Sequence, residues 1–162
     1  MNATPDNTTI DSLLREAADA ANEKRLDDAD RLLTEVLRRA PDQVKALDLL
    51  GFVRFFQQRY PECEQLCRRV LEIEPGHAYA LSGLGMASAR QGRLEEGIAL
   101  LHRAMAAAPT WTEPYWDAAV LLLESGQTDR ARETLQAGLK NAPKGAPRFR
   151  KLLARIADAH SR

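Results

Sequence analysis

Four prolines, Pro41, Pro75, Pro109 and Pro143, stand 34 residues apart. At a background of about 5% proline, three further prolines on preset positions have a chance on the order of one in ten thousand, so the interval marks a structural repeat. Small residues keep the same phase. Ala17, Gly51, Gly85 and Ala119 precede the prolines by 24 residues, and Ala29, Cys63, Gly97 and Ala131 follow 12 residues later. The distance between packed helices is set by the side chains at their contact, so two small positions per unit predict two antiparallel helices in close approach. Leu33, Cys67, Leu101 and Leu135 lie four residues beyond the second small position and continue a buried face at helical spacing. The expected unit is a helical hairpin.

Within that unit, Leu47-x2-Leu50-Gly51 and Leu81-x2-Leu84-Gly85 reproduce the first half of the pattern W-x2-L-G-x2-Y, followed by A-x3-F and P. Tyr115-x2-Ala118-Ala119 and Leu13-x2-Glu16-Ala17 are looser copies. On these residues the chain resembles the tetratricopeptide repeat (TPR) family over most of its length. The resemblance implies an all-α fold, a right-handed α-solenoid of four TPR helical hairpins at 10–43, 44–77, 78–111 and 112–145, plus a C-terminal capping helix at 146–162. Glu16 fills a slot the family gives to Leu, which suits a terminal repeat whose outer face meets water. In the capping segment Phe149, Leu152, Leu153 and Ile156 fall at i, i+3, i+4 and i+7, an amphipathic face able to cover the last repeat. Residues 1–9 are expected as a disordered leader, with Thr8 or Thr9 capping the first helix. Gly92 and Gly126 share one phase between the two helices of their hairpins, where a residue free to take positive φ ends a helix.

Charge and composition narrow the function. Lys plus Arg equals Asp plus Glu at 23 each, so there is no basic excess of the kind nucleic acid demands. No apolar run reaches the length of a membrane span, and Met1 to Thr9 lacks the charged and apolar regions of a signal peptide. A cytoplasmic protein is expected. Arginine outnumbers lysine 18 to 5 and alanine is abundant, which points to a GC-rich bacterial source. Cys63 and Cys67 lie at i, i+4 on core positions, and a free buried cysteine behaves as a small hydrophobe.

Catalytic chemistry finds no foothold in the pattern. His77, His102 and His160 are scattered, with no H-E-x-x-H and no C-x2-C, so neither a metal nor another cofactor is expected. Ser82-Gly83-Leu84-Gly85 lies inside a helix and not after a strand, which removes it from the phosphate-loop class. Acidic pairs such as Glu95 and Glu96 read as solvated helix face. The reading is therefore a non-enzyme.

Function then falls to a surface. In the family the concave groove is lined mainly by the first helix of each repeat. Carried over residue by residue, the resemblance implies a partner-binding stripe of Leu49, Phe52, Phe56, Tyr79, Met86, Trp116 and Val120. An apolar stripe with charged edges suits a peptide or amphipathic helix of a partner protein, whereas inter-repeat packing competes for the same aromatics, above all Phe55 and Phe56. Co-chaperone members of the family grip a C-terminal carboxylate with a Lys, Asn, Asn, Lys, Arg clamp. Here those slots read Leu14, Ala18, Leu49, Tyr79 and Gly83, or one repeat on Asp48, Phe52, Gly83, Glu113 and Asp117. Neither set offers cationic donors. An adaptor or chaperone role is expected, with a self-assembling homo-oligomeric scaffold or a recruiting module for a separate enzyme as alternatives.

Overall fold

The computed structural model describes residues 7–160. Within them the chain forms α1 (Asn7–Asn22), α2 (Leu26–Arg39), α3 (Val44–Phe56), α4 (Tyr60–Ile73), α5 (Ala78–Arg90), α6 (Leu94–Ala107), α7 (Thr112–Glu124), α8 (Thr128–Asn141) and α9 (Ala146–His160), with a 3-10 turn at Pro143–Gly145. Consecutive helices pack as hairpins, each hairpin stacks on the next, and α9 lies on α8. The result is an all-α, right-handed α-solenoid. Of the expected leader, residues 1–6 lie outside the described residues. Residues 7–9 do not belong to a leader, because α1 already begins at Asn7. Thr8 and Thr9 consequently fall inside the first turn, past the capping position.

Close approach occurs where the small residues meet. Ala17, Ala29, Ala119 and Ala131 are fully buried. In the third hairpin a Cβ on Gly85 would sit 2.8 Å from the Gly97 carbonyl oxygen, and a Cβ on Gly97 would sit 2.8 Å from the Ala89 methyl. These two helices touch backbone to backbone. Around the small contacts three apolar clusters run the length of the molecule: one about Leu33, Val36 and Val53, one about Leu47, Val70 and Leu81, and one about Leu101, Leu122 and Phe149. Each draws on neighbouring hairpins, so a hairpin by itself could not bury its own apolar face.

Polar staples join the same neighbours on the outside. Arg54 pairs with the half-buried Asp30 at 2.5 Å, Arg130 with Glu95 at 2.7 Å, and Arg93 with Glu64, whose carboxylate also accepts from Ser88 and Gln91 at 2.9 Å. Second helices carry acids in their first turn, Asp27 and Asp28, Glu62, Glu95 and Glu96, and Asp129, where the helix dipole favours negative charge.

The turn inside every hairpin has one geometry. The amides of Arg25, Arg59, Arg93 and Gln127 donate to the carbonyls of Ala20, Arg54, Ser88 and Leu122 at 2.8–3.0 Å, a six-to-one closure. That closure requires a left-handed residue just before the donor. Gly92 and Gly126 supply it at φ 85° and 77°, but the equivalent residues in the first two hairpins are Lys24 and Gln58, both at φ 61°. A side chain there costs roughly 1–2 kcal/mol. Glycine's larger chain entropy in the unfolded state gives back about half of the gain. Lys24→Gly and Gln58→Gly are each expected to stabilise the fold by several tenths of a kcal/mol, and a thermal melt of each variant that is unchanged or lower would refute the strain.

Candidate functional site

Three first helices present their faces to one cavity. From α3 come Asp48, Gly51, Phe52, Phe55 and Phe56, and from α5 Tyr79, Ser82, Gly83 and Met86; both sets follow helical periodicity, so each is a single face. Glu113 and Asp117 enter from α7, Trp111 from the loop before it, and Cys63 and Cys67 from α4. Together they enclose about 300 Å³. Gly83 helps to keep the space open, since a Cβ there would press on the Cys67 sulfur at 3.0 Å.

Aromatic rings make most of the wall. Phe52 and Phe56 pack at 4.6 Å between centroids, Phe55 meets Phe56 edge-on at 5.6 Å, and Tyr79 stacks on Trp111 at 5.8 Å with the ring planes 23° apart. Phe55 is drawn the other way as well, to Tyr60 and the central core. Phe56 remains 55% exposed and Tyr79 39% exposed. With Ile73, they are the exposed large hydrophobics among the described residues, so two of the three stand at this one cavity.

Two carboxyl groups sit against that apolar wall. Burial pushes Asp48 up from 3.8 to about 6, partly opposed by His77 and reinforced by Glu74. His77 accepts the Ala80 amide at Nδ1 and turns Nε2 to one Asp48 oxygen at 3.3 Å. The other oxygen, Oδ1, is buried with no hydrogen-bond partner among the described residues. Asp117 is likewise pushed up to about 6 by burial, with Arg148 and Arg90 lowering it and Glu113 raising it. Both guanidinium groups are engaged elsewhere. Arg90 pairs with Glu124 at 2.9 Å, while Arg148 lies 3.9 Å over the Trp116 ring and 3.8 Å from Glu113. Desolvation beside Asp48 also pushes the Tyr79 hydroxyl up to about 12. Among the described residues, no group of three or more His, Cys, Asp or Glu side chains is arranged to hold a metal.

Of the residues predicted from sequence, Phe52, Phe56, Tyr79 and Met86 meet in this cavity. Three do not. Leu49 packs on the N-terminal core and lines a separate shallow depression with Leu14, Arg15 and Lys45. Trp116 packs on the C-terminal core under Arg148 of α9, and Val120, one turn further along α7, is half-buried outside the cavity. Trp111 was missed because it ends a repeat, in a loop that a transfer of helical positions does not reach. Cys63 and Cys67 are 1% and 5% exposed and belong to the core, with an edge on the cavity floor.

A solenoid of stacked helical hairpins with an aromatic cavity across its first helices defines a protein-interaction module. The tetratricopeptide repeat family model matches residues 55–119 and, overlapping, 88–156, more than half of the sequence. The chain belongs to the tetratricopeptide repeat family. It is 25% identical over 139 residues to Hsp70-Hsp90 organizing protein 3 of Arabidopsis thaliana, covering 84% of this chain and 25% of that protein. Among solved structures, a mutant O-GlcNAc transferase of Thermobaculum terrenum superposes with a TM-score of 0.77 at 28% identity, over 85% of this chain and 27% of the transferase. TTC0263, a thermophilic TPR protein of Thermus thermophilus, gives 0.78 at 19% identity over 93% and 82% of the two chains. The chain thus spans about a quarter of the length of the first two. No helix among the described residues is long and apolar enough to cross a membrane.

Proposed function

We propose that this chain is a non-enzymatic adaptor or chaperone module that holds a peptide or amphipathic helix of another protein in the aromatic cavity of α3, α5 and α7. The observation that carries the reading is the position of Phe56 and Tyr79. Large apolar groups left in water are costly unless a partner covers them, and both are placed on the rim of a preformed apolar space. Phe52, Phe56, Tyr79 and Met86 are the anchors. Leu49, Trp116 and Val120 would extend the contact to either side only for a longer partner.

The Arabidopsis relative is named for the Hsp70 and Hsp90 chaperones, but the carboxylate-clamp slots here hold apolar or acidic side chains. A terminal carboxylate would meet Asp48, Glu113 and Asp117, which repel it. The partner segment is therefore of a different kind. A second reading, a recruiting module attached to or acting beside an enzyme, is favoured by the match to a quarter of an O-GlcNAc transferase. Under that reading the cavity still binds protein and the chemistry resides elsewhere.

Phe52→Ala is the direct test, with peptides selected on the wild-type protein from a random dodecapeptide library displayed on phage. A central aromatic anchor is worth about 2 kcal/mol on truncation, so affinity should fall some thirtyfold while the helical signal is kept. Selected peptides that bind Phe52→Ala and Phe56→Ala as tightly as wild type would move the site off this cavity.

A further inference from the structure

The cavity that the aromatics build is acidic, and its acids lack adequate partners. Asp48 faces His77 and Glu74 from the α4–α5 connection, together with the Tyr79 hydroxyl and the Cys67 thiol. One of its oxygens is buried without a hydrogen bond among the described residues. Asp117 faces Glu113 on its own helix, Arg90 on α5 and Arg148 on α9, and those two arginines are held by Glu124 and by Trp116 with Glu113. Ionised carboxylates half-buried among aromatic rings cost the free protein stability, because desolvation penalises the charged form. An apolar residue at either place would cost less.

We propose that this cavity receives a lysine or arginine side chain from an otherwise apolar partner segment, its aliphatic stem against Phe52, Phe56 and Met86 and its charge between Asp48 and Asp117. This rests on the groove reading above and names the chemistry of its occupant. Charge complementarity selects that occupant. A long cationic side chain buries its stem on apolar surface while its head keeps polar partners, the carboxylates supply charge-assisted hydrogen bonds, and the ring walls add cation–π attraction. A purely apolar segment would desolvate both acids further without pairing them. An acidic one would be repelled.

The raised acids give the proposal a readout in the free protein. A carboxyl group whose folded value lies above its unfolded value of 3.8 binds protons more readily when folded, so its cost is absent below about pH 4 and fully present above about pH 6. Asp117→Asn should therefore raise the melting midpoint at neutral pH and lose that advantage at acid pH. In binding, the peptides selected on the wild-type protein and counter-selected on Phe52→Ala should carry a Lys or Arg flanked by apolar residues. Replacing that Lys by norleucine, or that Arg by citrulline, should weaken binding about tenfold or more. Asp117→Asn, and Asp48→Asn as an independent variant, should weaken the cationic peptide by a similar factor and leave the neutral one nearly unchanged.

Phe52-dependent peptides that lack a cation, or whose affinity is indifferent to both Asp variants, would overturn the proposal and leave the groove reading standing. Failure to select any Phe52-dependent peptide would overturn the groove reading, and this proposal with it. A concentration-dependent mass in light scattering that Phe56→Ala abolishes would give the cavity to a second copy of this chain and also overturn it.

Discussion

Gly85→Leu is expected to unfold the middle of the solenoid, whereas Gly51→Ala, at the same phase one repeat earlier, is expected to stabilise it. Any Cβ at Gly85 meets the Gly97 carbonyl oxygen at 2.8 Å and the Leu100 and Leu101 side chains at 3.2 Å. The oxygen belongs to a helix backbone and cannot swing aside. Overpacking a core costs typically about 1–3 kcal/mol; a leucine driven into backbone belongs at or above the top of that range, against a total of about 5–15 kcal/mol for a domain. Because neighbouring repeats support one another, loss of the α5–α6 contact removes support from both flanks. At Gly51 the nearest atom to a new methyl is the Cys67 sulfur at 3.6 Å, an ordinary contact. Alanine there gains roughly 0.5–1 kcal/mol of helix propensity. Chemical denaturation of the two variants should shift the midpoint in opposite directions, and an undisturbed Gly85→Leu would contradict the close approach of α5 and α6.

That pair shows how far the sequence is legible. Small residues recurring at two phases identify where helices approach, and Gly85 facing Gly97 follows from the pattern. The pattern treats Gly51 the same way, although its phase partner is Cys63 and a Cβ there would meet nothing closer than the Cys67 sulfur at 3.6 Å. The turns divide similarly. Gly92 and Gly126 announce a left-handed residue, but Lys24 and Gln58 adopt the same conformation because the closing hydrogen bonds impose it. No local propensity reveals that.

The candidate site is legible in proportion to its periodicity. Phe52, Phe56, Tyr79 and Met86 share helix faces that point one way, and counting along each helix finds them. Trp111 sits in a loop, where phase carries no direction, and is placed by stacking on Tyr79. Trp116 has the right helical phase, yet Arg148 of the capping helix covers its ring. The helical phase of α7 alone does not show that a later helix folds over it. The elevated acids are likewise invisible in a net charge of zero, since their state is set by the apolar wall around them.

Phe149→Ala should produce the second large loss, by detaching α9 from the last hairpin. Phe149 is fully buried, lies edge-on to Tyr115 at 6.4 Å, and fills the space above Gly138, where a Cβ would come within 2.7 Å of its ring. Leu152 and Ile156 continue the same buried stripe at i+3 and i+7. Emptying such a site costs roughly 3–5 kcal/mol. The loss is local in origin, because α9 packs chiefly on α8, so the apolar faces of α7 and α8 should be exposed before the remaining hairpins melt. An apolar dye should therefore bind the variant under conditions where the wild type excludes it, and deletion of Ala146 to Arg162 should reproduce this with aggregation or a lower midpoint. Trp116 supplies an internal reporter. When Arg148 leaves its ring, the fluorescence of Trp116 should change at the first step of denaturation, ahead of the helical signal. A single cooperative transition at the wild-type midpoint in both Phe149→Ala and the deletion would show that α9 does not stabilise the solenoid.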